Sequence, residues 1–328
     1  MRTIPHVARA ILLAVSAAST LSCAAAIRPT ETASQAATPL SAWWVQPTDV
    51  ASSDLFYGPW GARYAPDPHA EYTFVRPKTG GFNPGMVVRD PQGREWHVKL
   101  PSERHGDEGP VEVVLSRVLS ALGYHQPPVY YLPSFTMRDG SGVHVAPGGR
   151  FRLDMPSLKD RGEWSWQQNP FVGQRPYEGL LVILLLFNSS DLKNSNNTIY
   201  EYDDGLGGAP RQWYAVRDLG LALGRTGRVA PQRNNLDVFA RTRFITDVDR
   251  DYVVFGDYHG LHAELLRNRI KREDVQWAAG LVGRLTDRQW QDAFRAGGYE
   301  PALAARFIAI LHGRIADARR VGGIVTTQ

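Results

Sequence analysis

Eight consecutive apolar residues, Leu180-Leu181-Val182-Ile183-Leu184-Leu185-Leu186-Phe187, constrain this chain more than any other stretch. A helix that is apolar on nearly all sides cannot lie on a surface, so the run predicts a helix buried at the centre of a larger unit. The chain then turns polar at Asn188-Ser189-Ser190, and the next six residues, Asp191-Leu192-Lys193-Asn194-Ser195-Asn196, read D-L-K-x-x-N. After a hairpin-like interval, Tyr214-Ala215-Val216-Arg217-Asp218-Leu219-Gly220 reads as a strand ending in D-L-G. An acid, a lysine and an amide at fixed offsets, followed by an acid at a strand end, form a set able to hold a hydroxyl, a phosphate and a metal.

Upstream lie three strand-like runs, residues 71–75, 86–89 and 95–100. The loop Lys78–Gly85 joins the first two, and Asp90-Pro91-Gln92-Gly93 is a turn before the third. Gly80, Gly81 and Gly85 lack a Cβ and so let backbone N–H groups approach a phosphate, although strands joined by such a loop are commonly just a hairpin. Lys99 lies on the third strand between Val98 and Leu100, where a lysine is ordinarily a solvent-facing edge residue. From Gly109 to Gly123 apolar residues fall at 111, 114, 115, 118, 119 and 122, with Pro110 near the start, which predicts a helix. Glu112 in its first turn suits the positive helix end; paired with Lys99, it would aim the lysine at a nucleotide.

Residues 126–133 read as an edge strand and a stiff connection, 138–175 as a hairpin or loop insertion, and 220–257 as loop. Helices are expected near 258–269, 271–284, 286–297 and 301–319, with Thr286-Asp287 as a cap. His259 and His262, three apart, would share one face of the first of these. Asp247, Asp249, Asp251 and Asp257 surround Arg250 in what reads as a solvated charged loop. No H-E-x-x-H, C-x-x-C or G-x-S-x-G occurs, so zinc hydrolases and serine esterases have no support.

The balance of 37 Lys and Arg against 33 Asp and Glu, with no run of five basic residues, argues against a nucleic-acid partner. A basic start, an apolar core at Ala10–Leu21 and Ala24-Ala25-Ala26 predict an export leader over 1–26. The apolar core is too short to span a bilayer. Cys23 is the single cysteine, so no disulfide forms within the chain. Thr20-Leu21-Ser22-Cys23 faintly resembles a bacterial lipoprotein box, with a poor threonine three residues before the cysteine, so a membrane association would run only through lipidation of Cys23. The protein is expected to be exported: periplasmic, an outer-envelope lipoprotein, or secreted. Residues 27–66 read as a linker whose Trp43-Trp44 and Phe56-Tyr57 dock on the folded body.

Strand, glycine loop, strand, lysine strand, glutamate helix, connection, buried helix, D-L-K-x-x-N and D-L-G follow in one order, and in that order residues 70–325 resemble the protein-kinase-like superfamily. The likeness is to its atypical branches: HipA-type kinases, secretory-pathway kinases and exported bacterial kinase-like proteins. The resemblance implies an α+β bilobal fold. Residues 67–135 would form a small N-lobe, an antiparallel sheet with one helix, and 136–328 a larger, mainly helical C-lobe. It further implies ATP, or another nucleotide, with Mg²⁺, and a hydroxyl-bearing acceptor that is a protein, glycan or small molecule. Lys99 would hold the phosphates and Glu112 would orient Lys99. Asp191 would align the attacking hydroxyl, Lys193 would touch the transferring group, and Asn196 with Asp218 would hold the metal. Gly80, Gly81 and Gly85 would cover the phosphates. The chain departs from the family pattern at Ser189-Ser190, where His-Arg is usual, at Leu219, in lacking a full G-x-G-x-x-G, and at Ala230-Pro231-Gln232, a trace of A-P-E. A kinase-like scaffold without catalysis is the alternative.

Overall fold

A computed structural model describes residues 38–79, 83–102, 107–189, 191–225, 232–256 and 258–321. The leader with Cys23, Gly80, Gly81, Ser190, Ala230, Pro231 and Asp257 lie outside the described residues. The elements run β1 (Glu71–Pro77), β2 (Gly85–Arg89), β3 (Glu95–Lys99), α1 (Gly109–Ala121), β4 (Val129–Asp139), β5 (Gly142–Leu153), β6 (Leu158–Asp160), α2 (Arg175–Leu186), β7 (Asn197–Tyr202), β8 (Arg211–Val216), α3 (Leu236–Arg241), β9 (Ile245–Asp249), β10 (Tyr252–Phe255), α4 (Arg272–Val282), α5 (Asp287–Ala296) and α6 (Pro301–Arg320). The fold is mixed α+β.

Strands β1–β5 close into a barrel in the order β1-β2-β3-β5-β4. This corrects the expected antiparallel sheet, because β1 pairs parallel with β4 from Glu71↔Thr136 to Thr73↔Arg138. Residue 135 falls inside β4, and the barrel's last strand, β5, ends at Leu153. Residues 142–153 resemble an insertion in sequence because the hairpin tip is exposed, Val145 by 71%, while only the far end, with Phe151 at 0%, is buried in the barrel. Phe135 packs edge to face with both Tyr72 and Phe151, and Tyr72 and Phe151 are tilted to each other, at centroid distances of 5.0–5.9 Å. Those offset geometries suit the ring quadrupoles.

A second and larger core gathers α1, α2 and the C-terminal helices, and α2 is buried from Pro176 to Leu186. Trp43 enters the same core, with Trp164, Phe171 and Tyr177 around it. Trp44 donates its indole N–H to the Leu122 carbonyl at 2.8 Å, fastening residues 38–64 to the body.

The end of α2 sets the position of the loop that follows. Asn188 N–H reaches Leu185 O and Ser189 N–H reaches Leu184 O, both at 2.9 Å, with Asn188 left-handed at φ 52°. That is a Schellman closure, and asparagine is the residue other than glycine that tolerates its left-handed position. The buried Arg314 of α6 donates to Leu186 O at 2.8 Å and so caps the same helix end.

Strands β6-β7-β8 form a small antiparallel sheet, with Asn197 opposite Val216. Residues 220–257 are less loop-like than expected, since they hold α3 and the β9–β10 hairpin, elements too short for periodicity to reveal. The helix expected at 258–269 is absent; only a 3₁₀ turn, Ala263–Leu265, forms there. Left-handed His262 and Asn268 interrupt the backbone, so His259 and His262 share no helix face. Helices α4, α5 and α6 lie near their expected places, and Thr286 caps α5 in a reciprocal box with Gln289.

Candidate active site

Lys99 ends β3 with 4% of its surface exposed. A buried ammonium needs compensating charge, because desolvation otherwise costs more than folding can supply. Three carboxylates provide it: Lys99 Nζ lies 2.9 Å from Glu112 Oε2, 2.9 Å from Asp218 Oδ1 and 3.2 Å from Glu108 Oε2. The three acids come from the first turn of α1, from the residue just before α1, and from the D-L-G segment after β8. Barrel, helix and small sheet therefore meet on one side chain.

Two arginines complete the charge balance. Arg150 of β5 sets its Nε 2.9 Å from Glu112 Oε1, close but misaligned for a hydrogen bond, and donates to the His97 carbonyl at 3.2 Å. Arg233 pairs with Glu108, which also accepts from the Asn83 amide. Three cations thus face three anions. Lys78, in the loop between β1 and β2, feels the same field: burial and then the charges of Lys99 and Arg150 lower its pKa.

Asp218 has 44% of its side chain exposed, so it opens toward solvent while bonded to Lys99. Crowding by protein atoms acts to raise its pKa, but Lys99 above all, then Arg150 and Lys78, pull it down to about 2. Gly220 is required by contact, since a Cβ there would lie 2.5 Å from Glu108 Cβ. Gly85 is directly opposite Lys99 in the β2–β3 pairing, and its Cβ would fall 2.5 Å from the Val98 carbonyl.

The D-L-K-x-x-N loop forms a second group beside the first. Lys193 Nζ lies 2.9 Å from Asp191 Oδ1, and the Asn196 amide N–H donates to the Asp191 carbonyl at 2.7 Å. Arg217 N–H donates to Asn196 O at 2.9 Å, which sets Asn196 next to the segment carrying Asp218. With its amide nitrogen committed, Asn196 keeps its side-chain oxygen for another partner. That oxygen and the Asp218 carboxylate are hard donors of the kind Mg²⁺ takes, usually one or two from protein with the rest from phosphate and water. Among the described residues, no group of three His, Cys, Asp or Glu is arranged to hold a metal.

Glu108, Arg150 and Arg233 escape a reading of the sequence. Glu108 carried one signal, its position four residues before Glu112 and thus on the same helical face. Arg150 and Arg233 carried none, because barrel closure and the fold-back after D-L-G bring them in. The aspartates around Arg250 lie on the β9–β10 hairpin, apart from Asp257 outside the described residues. His262 bonds Glu264 and Gln167, at 2.8 and 2.7 Å.

No family model matches the chain, and no curated protein matches it. Among solved structures it is similar to the Helicobacter pylori proinflammatory kinase CtkA, at 14% identity and a TM-score of 0.47, over 79% of this chain and 100% of that one. It is also similar to the Golgi casein kinase, at 9% identity and a TM-score of 0.34, over 80% of this chain and 74% of that one. A structure of the Golgi casein kinase with Mn/ADP bound matches at 10% identity and a TM-score of 0.36, over 78% of this chain and 72% of that one. In each case the similarity is to a kinase structure.

Proposed function

We propose that this chain is an atypical kinase-like phosphotransferase of bilobal build, with the barrel as the smaller lobe and the helical remainder as the larger. The observation that carries the reading is the convergence of Lys99, Glu112 and Asp218 from three separate elements onto one buried ion-pair centre. Asp218 is 44% exposed while bonded to Lys99, so its carboxylate is open to a cation from solvent. An open, permanently anionic group is suited to a cation.

In this reading ATP, or another nucleotide, binds with Mg²⁺ at the Lys99–Asp218 centre and supplies the phosphoryl group. Lys99 holds the phosphates, and Glu112, fixed in turn by Arg150, holds Lys99. Asp218 and the side-chain oxygen of Asn196 are the protein's metal donors. Gly85, at the start of β2 opposite Lys99, would cover the phosphates together with Gly80 and Gly81 ahead of it in the sequence. Asp191 aligns the acceptor hydroxyl and takes its proton as that oxygen bonds to phosphorus and the bond to the leaving phosphate oxygen breaks. Lys193, 2.9 Å from Asp191, neutralises charge on the group in transit. Positioning and charge neutralisation are what a loose phosphoryl-transfer transition state requires.

The acceptor is a hydroxyl on a protein, glycan or small molecule. The leader over residues 1–26 supports an exported protein, periplasmic, secreted, or held at the outer envelope through Cys23. No helix among the described residues is long and apolar enough to cross a membrane.

Transfer of labelled phosphate from ATP to a panel of acceptors tests the reading. Asp191→Ala should keep nucleotide binding and lose transfer; full transfer by both Asp191→Ala and Asp218→Ala would refute the site.

A further inference from the structure

A cavity of about 830 Å³ shares no lining residue with the Lys99 centre. It lies between residues 45–64, the end of α1 and the β7–β8 sheet, and its volume is within the range of small-molecule pockets. Trp60, Tyr64, Tyr202 and Trp213, all half-buried, form its aromatic wall.

The arrangement of these rings determines what the wall offers. His125 stacks on Trp213 at 4.5 Å and 4°, and Tyr202 stacks on it at 4.0 Å and 28°. Two rings cannot share one indole face at those distances, so Trp213 is sandwiched between them. The Arg211 guanidinium lies over Tyr202 at 5.5 Å and that of Arg63 over Tyr64 at 4.7 Å. Trp60 stands edge to face against Tyr64, Tyr202 and Trp213, at 60–88°. At Trp213 and Tyr202 the ring faces are occupied by the protein's own groups, and there a ligand meets ring edges and polar tips.

The polar complement is mixed. The Tyr64 and Tyr202 hydroxyls and the Trp213 indole N–H make no hydrogen bond among the described residues. Asp49 and Asp203 each spend one oxygen on a nearby backbone N–H, at 3.2 and 2.9 Å. Asp204 is paired with Arg211 at 2.9 Å. His125 is uncharged at neutral pH: burial is the main cause holding its pKa down near 4, against a bond to the Ser41 carbonyl.

We infer that this cavity binds a neutral oligosaccharide. Organic cations and proline rings both pack against aromatic faces, which at Trp213 and Tyr202 the protein's own groups already cover. Phosphates and sulfates meet Asp49 and Asp203 with only Arg63 lining the cavity to offset them. Sugar hydroxyls donate to carboxylates, accept from Tyr and Trp tips, and place oxygen against the electropositive ring edges. The inference is independent of phosphoryl transfer.

Calorimetric titration of the full chain with maltohexaose, cellohexaose, xylohexaose and chitohexaose tests it, with heparin hexasaccharide, a proline-rich peptide and choline as rivals. At least one neutral hexasaccharide should bind saturably. Asp203→Ala and Tyr202→Phe should each weaken binding about tenfold with unchanged melting temperature, and Asp218→Ala should leave it unaltered. Binding of no neutral sugar, sugar binding indifferent to both cavity variants, or cavity-dependent binding of a rival instead would overturn the inference.

Discussion

The Lys99 ammonium and the Asp218 carboxylate, 119 residues apart, lie 2.9 Å from each other. The first belongs to the barrel and the second to the segment leaving the β7–β8 sheet, so this pair, with Glu108 and Glu112, ties the barrel to the rest of the chain.

Asp218 gives the pair a pH signature. Its carboxyl titrates near 2 in the folded protein, against an ordinary value of 3.8. A depressed carboxylate stabilises the fold above its unfolded pKa and loses that contribution as pH falls from about 4 toward about 2. Asp218→Asn should therefore melt below the wild type at pH 7, and the gap should narrow as pH drops below about 4. Melting curves at pH 7, 5, 4 and 3 measure it; a gap that widens on acidification would refute the assignment.

Arg150 should matter as much as the residues it supports. It is 5% exposed and pairs with Glu112, which is 1% exposed. Arg150→Met leaves that acid with Lys99 as its one cation, at a cost of about 3–5 kcal/mol in urea unfolding. Arg150→Lys should recover little, because a lysine cannot serve both Glu112 and the His97 carbonyl.

Asn188 separates backbone strain from side-chain bonding. Asn188→Ala places an ordinary residue at φ 52° and loses the amide bond to Gly224 O, so it should cost about 1–2 kcal/mol. Asn188→Gly loses the bond without the strain and should fall between Asn188→Ala and the wild type. Equal losses would show that the bond alone matters.

Local signals in the sequence carried much of the fold. The eight apolar residues revealed α2, and the 3.6-residue periodicity revealed α1 and the helices after 271. The strand bearing Lys99 was legible, but its burial was not, since a lysine on a strand faces solvent unless acids from elsewhere surround it. Glu108, Arg150 and Arg233 join the site only through tertiary closure, and barrel closure hangs on β5, half of which is exposed. The error at 258–269 has a local cause: apolar spacing there is helical, but left-handed His262 and Asn268 break the helix. At Asp191, Lys193 and Asn196 six residues sufficed to bring the side chains together, because loop hydrogen bonds link them directly.

The most direct measurement of the central claim is nucleotide-dependent thermal stabilisation. A ligand that binds only the native state raises the melting temperature, and the rise grows with the logarithm of its concentration above Kd. ATP with Mg²⁺ should raise that of the wild type, with the shift abolished by EDTA, by Asp218→Ala and by Lys99→Met. No shift with any nucleotide, or a full shift in Asp218→Ala, would contradict the account.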